Sequence, residues 1–149
     1  MVRGGCWLIP TDKVQTQTVP LSDMRQLQLL TQWLSPAFPI GAFSYSHGLE
    51  WAVKTGDVMD GPSLKTWIFA NIIHGAGRND AIFMAHAYRA DRNAQLHEID
   101  QLANAFAPSK ERLAESTSMG KAFAKTIFDV WGNKIEASSF SVVLGVAVK

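Results

Sequence analysis

The sequence predicts an all-α protein, a single-domain bundle of about six or seven helices. Apolar residues recur at steps of three and four along most of the chain, which is the period of a helix with one buried face. Capping residues, glycines and prolines separate these apolar segments at regular intervals. The 149 residues are enough for one domain with an ordinary hydrophobic core, and no long internal repeat divides them.

The beginning of the chain differs from the rest, because it shows no sustained apolar period and contains three threonines and two prolines. We expect a flexible leader over residues 1–21 and an ordered domain over residues 22–149. Ser22 is placed to cap the first helix, in which apolar residues recur up to Leu34. Pro36 then ends this helix, because a proline inside it would remove a backbone hydrogen bond.

The second and third predicted helices are marked by glycine and proline. A short helix over residues 49–53 is followed by Gly56, which suits a left-handed C-cap. Asp60 begins the third helix, with Pro62 in its first turn, and a pair of glycines that starts at Gly75 interrupts it.

The fourth helix is predicted to start where the Asn79–Asp80 pair can cap it. Its run over residues 81–88 is apolar on nearly every side except at His86, which predicts a helix buried among the others. In such a helix His86 is expected to be a hydrogen-bonded residue of the core or of an interface. Asp91 or Asn93 then opens a fifth helix.

The end of the chain holds two further predicted helices. Pro108 closes the fifth helix, and Ser109 caps the sixth, which runs over residues 110–131 and ends at Gly132. The tail over residues 138–148 is rich in valine and would form a strand by residue preference alone. Since a lone strand has no partner in this chain, we expect the tail to begin a seventh helix.

Charge and composition argue against several classes of partner. The formal net charge is +1, from 14 Lys and Arg against 13 Asp and Glu, and no basic stripe suggests nucleic acid or an anionic membrane surface. No apolar run is long enough to span a membrane. The single cysteine, Cys6, excludes an internal disulfide and a CxxC zinc site and is typical of a reducing compartment. We therefore expect a cytoplasmic protein that binds other proteins.

One segment, SPAFPIGAFSYSHGLEW at residues 35–51, crowds serine, histidine, proline and glycine between two predicted helices, and we call it the corner segment. Its Ser-Tyr-Ser-His-Gly stretch is close to the nucleophile elbow of hydrolases, with Ser46 as the nucleophile. That elbow needs a buried strand before the serine, and Pro36 and Pro39 argue against one. A small serine hydrolase is therefore a weak alternative, and we expect no catalytic residue.

The corner segment also has a structural and a metal-binding interpretation. Gly41 can take a positive φ, and Ser44 or Ser46 can cap the helix that carries Glu50. His47 is a candidate nickel ligand for a metallochaperone, but no two histidines have the i, i+4 spacing that places both on one metal. We expect no built-in metal site and no cofactor. The residues alone leave partner binding and simple packing equally open.

The corner segment, extended to Ala52, resembles the signature of the urease accessory protein family UreF. Three later stretches follow in the family's order: Gly75-Ala76-Gly77 with Asp80, Arg112-Leu113-Ala114-Glu115 through Met119-Gly120, and Val142-Val143-Leu144-Gly145. The resemblance extends over residues 24–148.

This resemblance implies an all-α scaffold that is not an enzyme. Such a scaffold joins the accessory proteins UreD (also called UreH) and UreG on apo-urease and couples GTP hydrolysis by UreG to nickel insertion. The resemblance also implies a homodimer. Glu50 falls in the stretch linked to communication with UreG, so the surrounding turn is the expected contact surface. The residues expected to bind partners all belong to the corner segment: Pro36, Phe38, Pro39, Gly41, Ser44, Tyr45, Ser46, His47, Gly48 and Glu50.

Family members continue through several more helices beyond the Val-Val-Leu-Gly stretch, whereas this sequence stops at Lys149. In the family that C-terminal part contributes to the UreD contact and to the core of the bundle. The resemblance therefore implies a chain that is truncated at its C-terminus and has an exposed apolar edge.

Overall fold

The computed structural model of the chain describes residues 21–42 and 45–149. Within these ranges the chain forms seven α-helices and no strand, which confirms the all-α prediction. The helices are α1 (Leu21–Trp33), α2 (Leu49–Thr55), α3 (Gly61–His74), α4 (Ala76–Arg89), α5 (Asn93–Ala105), α6 (Lys110–Trp131) and α7 (Phe140–Ala147). In this part of the chain, no helix is both long and apolar enough to cross a membrane.

The short helix α7 lies at the centre of the bundle. It packs against α4, α5 and α6, and its residues 141–145 are all buried. Two glycines allow close backbone approach: a Cβ at Gly120 on α6 would lie 2.1 Å from the carbonyl oxygen of Ser138, and a Cβ at Gly145 would lie 2.4 Å from that of Met84. The valine-rich tail is thus a helix, as predicted, because three surrounding helices bury its side chains.

Two clusters of buried side chains form the core. The larger one joins α1, the corner segment, α6 and α7 around the fully buried ring of Phe123, which lies 5.8 Å from the ring of Trp33 and 5.1 Å from that of Phe38. The smaller one holds α4 and α5 against α7 through three apolar side chains: Ala87, Ile99 and Val142. Phe38 therefore fixes the corner segment to the core.

Several predicted helix ends are confirmed. Gly56 and Gly132 close α2 and α6 with left-handed backbone, at φ values of 83° and 75°. The Ser109 hydroxyl caps α6 by accepting a hydrogen bond from a backbone N–H in its first turn. Asp60 begins α3 with a capping box: its carboxylate accepts from the N–H of Ser63, whose hydroxyl accepts from the N–H of Asp60.

The predicted start of α4 is wrong. The extended backbone of Gly75 separates α4 from α3, and α4 begins at once with Ala76. Asn79 and Asp80 therefore lie inside the helix and do not cap it. The Asp80 carboxylate pairs instead with Arg112 on α6, at 2.8 Å, a contact between residues 32 positions apart.

The beginnings of α1 and α5 also refine the predictions. Helix α1 already includes Leu21, so Ser22 lies in its first turn and not at the capping position. Helix α5 begins at Asn93, one of the two predicted starts, without a side-chain capping bond. Asp91 lies one residue before the N-cap Arg92, and its carboxylate pairs with the ammonium group of Lys149 at 2.9 Å. The predicted leader lies almost wholly outside the described residues.

The expectation that α4 is buried on nearly every side is wrong. Its Ala87 packs against α7, but Ile82, His86 and Tyr88 are exposed. The helix contacts α3, α5 and α7, and these neighbours leave one of its faces uncovered. His86 is therefore a surface residue of this chain, not a core residue.

Candidate functional site

The first half of the corner segment turns the chain after α1. The N–H of Phe38 donates to the carbonyl oxygen of Ser35 at 3.0 Å, and the N–H of Ile40 donates to that of Phe38 at 2.8 Å. Pro36 and Pro39 are exposed, whereas the Phe38 side chain between them is buried. Phe38 thus supports this surface from the core and adds little to the surface itself.

Left-handed backbone shapes the second half of the corner segment. Gly41, His47 and Gly48 have φ values of 75°, 51° and 85°. Gly48 is the N-cap of α2, and no side chain makes a capping hydrogen bond there, so the prediction that Ser46 caps this helix is wrong. The left-handed His47 separates Ser46 from the capping position at Gly48, and only the carbonyl oxygen of Ser46 accepts from the first helical N–H, at 3.0 Å. The alternative cap, Ser44, lies outside the described residues.

Most residues expected to bind partners are accessible. The exposed ones among those described are Pro36, Pro39, Gly41, Tyr45, His47, Gly48 and Glu50. Ser46 is half-buried. Glu50 lies in the first turn of α2, where the helix dipole favours a carboxylate whatever its function.

Trp51 is an exposed residue of the corner segment that the sequence analysis did not include among the residues expected to bind partners. It is 66% exposed, and the ammonium group of Lys54 lies 5.7 Å from the centre of its ring. Tryptophan is enriched where proteins bind each other. Its position directly after Glu50, in the first turn of a short helix, is the signal that marks it as part of the same surface.

A network of polar and charged side chains ties the corner segment to α6 and α4. Nε2 of His47 lies 3.5 Å from Oε1 of Glu115 on α6. Nη1 of Arg112 lies 2.7 Å from the same oxygen, and Nη2 of Arg112 lies 2.8 Å from Oδ2 of Asp80 on α4. Glu115 is buried, where a carboxylate without such partners would be unfavourable. Three stretches that carry the family resemblance therefore meet at one place in the fold.

The geometry favours a binding surface over chemistry at this site. The described residues before Ser46 form α1 and turns, without the buried strand that a nucleophile elbow requires. Nor do the described residues contain a group of three His, Cys, Asp or Glu side chains that could hold a metal ion. The corner segment instead presents an exposed carboxylate and an exposed indole on a backbone that the core supports.

Comparison with known proteins identifies the family. The family model described as UreF matches residues 58–149, which is more than half of the chain. The chain belongs to the UreF family.

Curated relatives named urease accessory protein UreF support this assignment. The relative from Rhodopseudomonas palustris (strain BisB5) is 52% identical over 121 residues, which cover 78% of this chain and 50% of the relative. The one from Cereibacter sphaeroides (strain KD131 / KCTC 12085) is 49% identical over 118 residues, or 79% of this chain and 55% of the relative. The one from Ruegeria pomeroyi is 43% identical over 123 residues, which cover 83% of this chain and 57% of the relative.

The chain spans about half the length of the UreF relatives it matches. The alignment to the Ruegeria pomeroyi protein covers 83% of the chain. The residues that it leaves out are fewer than the residues that precede Ser35, so even if all of them lie at the start of the chain the alignment begins before Ser35. The corner segment therefore lies within the aligned region. The relatives are named as accessory proteins of urease, in agreement with the prediction that the chain is not an enzyme.

Proposed function

We propose that the chain is a scaffold for urease maturation, which joins UreD and UreG on apo-urease and couples GTP hydrolysis by UreG to nickel insertion. The observation that carries this proposal is the similarity, at 43% to 52% identity, to relatives named urease accessory protein UreF. Because the chain spans about half of those relatives, the proposal concerns the part of the scaffold that this chain contains. We place it in the cytoplasm, as a homodimer.

Within this scaffold the corner segment is the contact surface for UreG. Its exposed residues are fixed to the rest of the fold by the buried Phe38 ring and by the contact between His47 and Glu115. A surface that is ordered before binding loses less conformational freedom when a partner binds. Glu50 supplies an exposed carboxylate there, and Trp51 supplies the large apolar area that dominates many protein contacts.

A nickel-binding metallochaperone that uses His47 has less support. One imidazole is a weak site, and Nε2 of His47 already faces Glu115. Calorimetric titration of the chain with Ni²⁺ separates the two functions. The scaffold predicts no stoichiometric binding, whereas one equivalent that is lost in His47→Asn would favour the metallochaperone.

A capture experiment tests the scaffold directly. The immobilised chain is incubated with UreD and UreG, each alone and both together, and the bound amounts are measured. We expect the wild-type chain to capture both, and Glu50→Ala to weaken the capture of UreG about tenfold, which corresponds to about 1.4 kcal/mol.

The matched control is Glu98→Ala, which removes another exposed glutamate, on α5 and outside the corner segment. It should capture UreG as well as the wild-type chain does. A wild-type chain that captures neither partner would end the scaffold proposal, and equal losses in both variants would exclude the corner segment as the contact surface.

A further inference from the structure

The left-handed backbone at residues 47–48 needs an explanation, because only one of the two residues is a glycine. His47 has a φ of 51° and Gly48 has a φ of 85°. This conformation is uncommon for a residue with a side chain, although histidine adopts it more often than most residues do. A contact that holds His47 would offset the cost of this conformation.

The backbone hydrogen bonds around His47 are local. The N–H of Tyr45 donates to Ala42, and the carbonyl oxygens of Ser46 and Gly48 accept from N–H groups of α2. Among the described residues, the side-chain contact that links this turn to another helix is the approach of Nε2 of His47 to Oε1 of Glu115, at 3.5 Å and without hydrogen-bond geometry.

Glu115 is suited to fix a neighbouring turn because it is itself fixed. Its side chain is 8% exposed, and Nη1 of Arg112, one turn earlier on the same helix, forms an ion pair with the same carboxylate oxygen at 2.7 Å, without hydrogen-bond geometry. Arg112 is held in turn by Asp80 at 2.8 Å, so that the carboxylate of Glu115 is anchored to two helices. A buried carboxylate with fixed partners cannot follow the turn outward without losing them.

We propose that Glu115 is a positioning residue for UreG binding: through His47 it holds the turn at residues 45–48, and with it the start of α2, in the orientation that presents Glu50 and Trp51. This inference rests on the proposed function. Glu115 itself is buried and lies outside the surface that touches UreG.

Hydrogen exchange of the backbone amides at residues 45–49 tests the positioning role without any partner. The first variant, Glu115→Gln, removes the charge at nearly the same side-chain volume. The second variant is His47→Asn: asparagine tolerates left-handed backbone, but its side chain is too short to reach α6. We expect each to speed exchange in this turn about tenfold, and the double variant to be no faster than either single one, because both changes break the same contact.

Asp100→Asn is the matched control, since it also converts a buried carboxylate to an amide, at a site that holds α7. It should lower global stability and leave exchange at residues 45–49 unchanged. Unchanged exchange in Glu115→Gln, or effects of the two changes that add in the double variant, would overturn the positioning role. If Glu115→Gln does not fold, unchanged exchange in His47→Asn overturns it equally.

Capture of UreG gives the functional readout. With a wild-type chain that binds UreG, Glu115→Gln should weaken capture about tenfold and Asp100→Asn should not. If the wild-type chain captures no partner while exchange changes as expected, the scaffold proposal fails and the positioning of the turn stands. If capture by Glu115→Gln equals that of the wild-type chain, the positioning role in binding is wrong and the scaffold stands.

Discussion

The carboxylate of Asp100 on α5 holds the two residues that precede α7. It accepts hydrogen bonds from the backbone N–H of Ser138 at 3.0 and 3.1 Å, from the hydroxyl of Ser138 at 2.8 Å and from the backbone N–H of Ser139 at 2.8 Å. Helix α7 has no capping hydrogen bond from its own N-cap side chain. The first N–H of the helix, that of Phe140, donates to the hydroxyl of Ser116 on α6 at 3.2 Å, so residues of two other helices fix the start of α7.

Asp100→Asn should lower the free energy of unfolding by about 1 to 3 kcal/mol, because the amide offers one acceptor oxygen where the carboxylate offers two, and buried donors lose their partners. Urea unfolding measures the change. Asp129→Asn, at an exposed carboxylate that pairs with Lys125, should change stability by less than about 0.5 kcal/mol. Equal effects of the two substitutions would show that Asp100 does not hold the start of α7.

Gly120 is the second residue on which the central packing depends. Gly120→Ala places a Cβ 2.1 Å from the carbonyl oxygen of Ser138 and 2.9 Å from the nitrogen of Phe140, and these backbone atoms cannot move aside without shifting α7. We expect a loss of about 1 to 3 kcal/mol or more, measured as a lower Tm by calorimetry.

The same substitution at Gly61, the first residue of α3, is the control. A Cβ there meets no atom within 4 Å, so Gly61→Ala should leave the Tm unchanged or raise it slightly. A Gly120→Ala protein as stable as Gly61→Ala would show that α6 and α7 do not approach as closely as described.

The contrast between Ser109 and Asp100 shows which residue roles the sequence can predict. Ser109 caps its own helix through an N–H three residues away, so local spacing was enough to find it. Asp100 acts on residues 38 positions away, and Glu115 acts on a turn far from it in the sequence. Such contacts depend on how the helices pack. The spacing of neighbouring residues in one sequence does not show which distant residues that packing brings together.

At the scale of elements, the residue that caps the start of α3 is itself titratable: it is Asp60. Hydrogen bonds from the side chain and then the backbone of Ser63 hold the pKa of Asp60 below its ordinary value. A carboxyl whose pKa is lowered by folding stabilises the folded state at pH values above its unfolded pKa, and this stabilisation is lost as the pH falls through the folded pKa. The capping box should therefore weaken in acid.

An NMR titration of the Asp60 carboxyl carbon checks this dependence. Ser63→Ala should raise the pKa of Asp60 toward its ordinary value, because it removes the hydroxyl that bonds the carboxylate. Thr66→Ala removes another hydroxyl of α3, which donates to the carbonyl oxygen of Pro62, and should leave the titration of Asp60 unchanged. A titration that is the same in all three proteins would show that Ser63 does not hold this carboxylate.

Helices with local signals at their ends were predicted closely, as α2, α3 and α6 show. The start of α4 was missed because Asn79–Asp80 has the composition of a cap, while Gly75 already breaks the chain four residues earlier. The burial of α4 was missed because an apolar composition does not tell which faces find neighbours. Here α3, α5 and α7 cover only part of its surface.

At the scale of the whole molecule, α3 stands out because none of its residues is buried. Its exposed apolar side chains lie on the C-terminal two-thirds of the helix: Ile68, Phe69, Ile72 and Ile73. Monomeric proteins rarely expose contiguous apolar surface of this kind. The structure thus places an apolar edge on α3.

This edge predicts self-association of the isolated chain. Size exclusion with light scattering should give a mass that exceeds one chain and rises with concentration, and Phe69→Lys should shift it toward the mass of one chain. Thr66→Lys adds the same charge to the same helix without removing apolar surface and should shift it less. A compact monomer at every concentration would contradict the prediction.

For the candidate site, the sequence identified the segment and the structure shows how it is held. The Ser-Pro-Ala-Phe-Pro-Ile-Gly stretch marked the corner segment, and its glycines and prolines do shape a turn. Which side chain points to the core, as Phe38 does, and which charge holds the turn, as Glu115 does, follow only from the packing of α6 against it. The contact surface itself stays a prediction.

The most direct test of the scaffold and its contact surface is hydrogen exchange of the chain with and without UreG and UreD. If the corner segment is the contact surface, the amides of residues 45–52 should exchange more slowly when UreG binds. Exchange at residues 134–136, beyond the end of α6, should not change. Binding of UreG that protects other helices and leaves residues 45–52 as fast as in the free chain would contradict it.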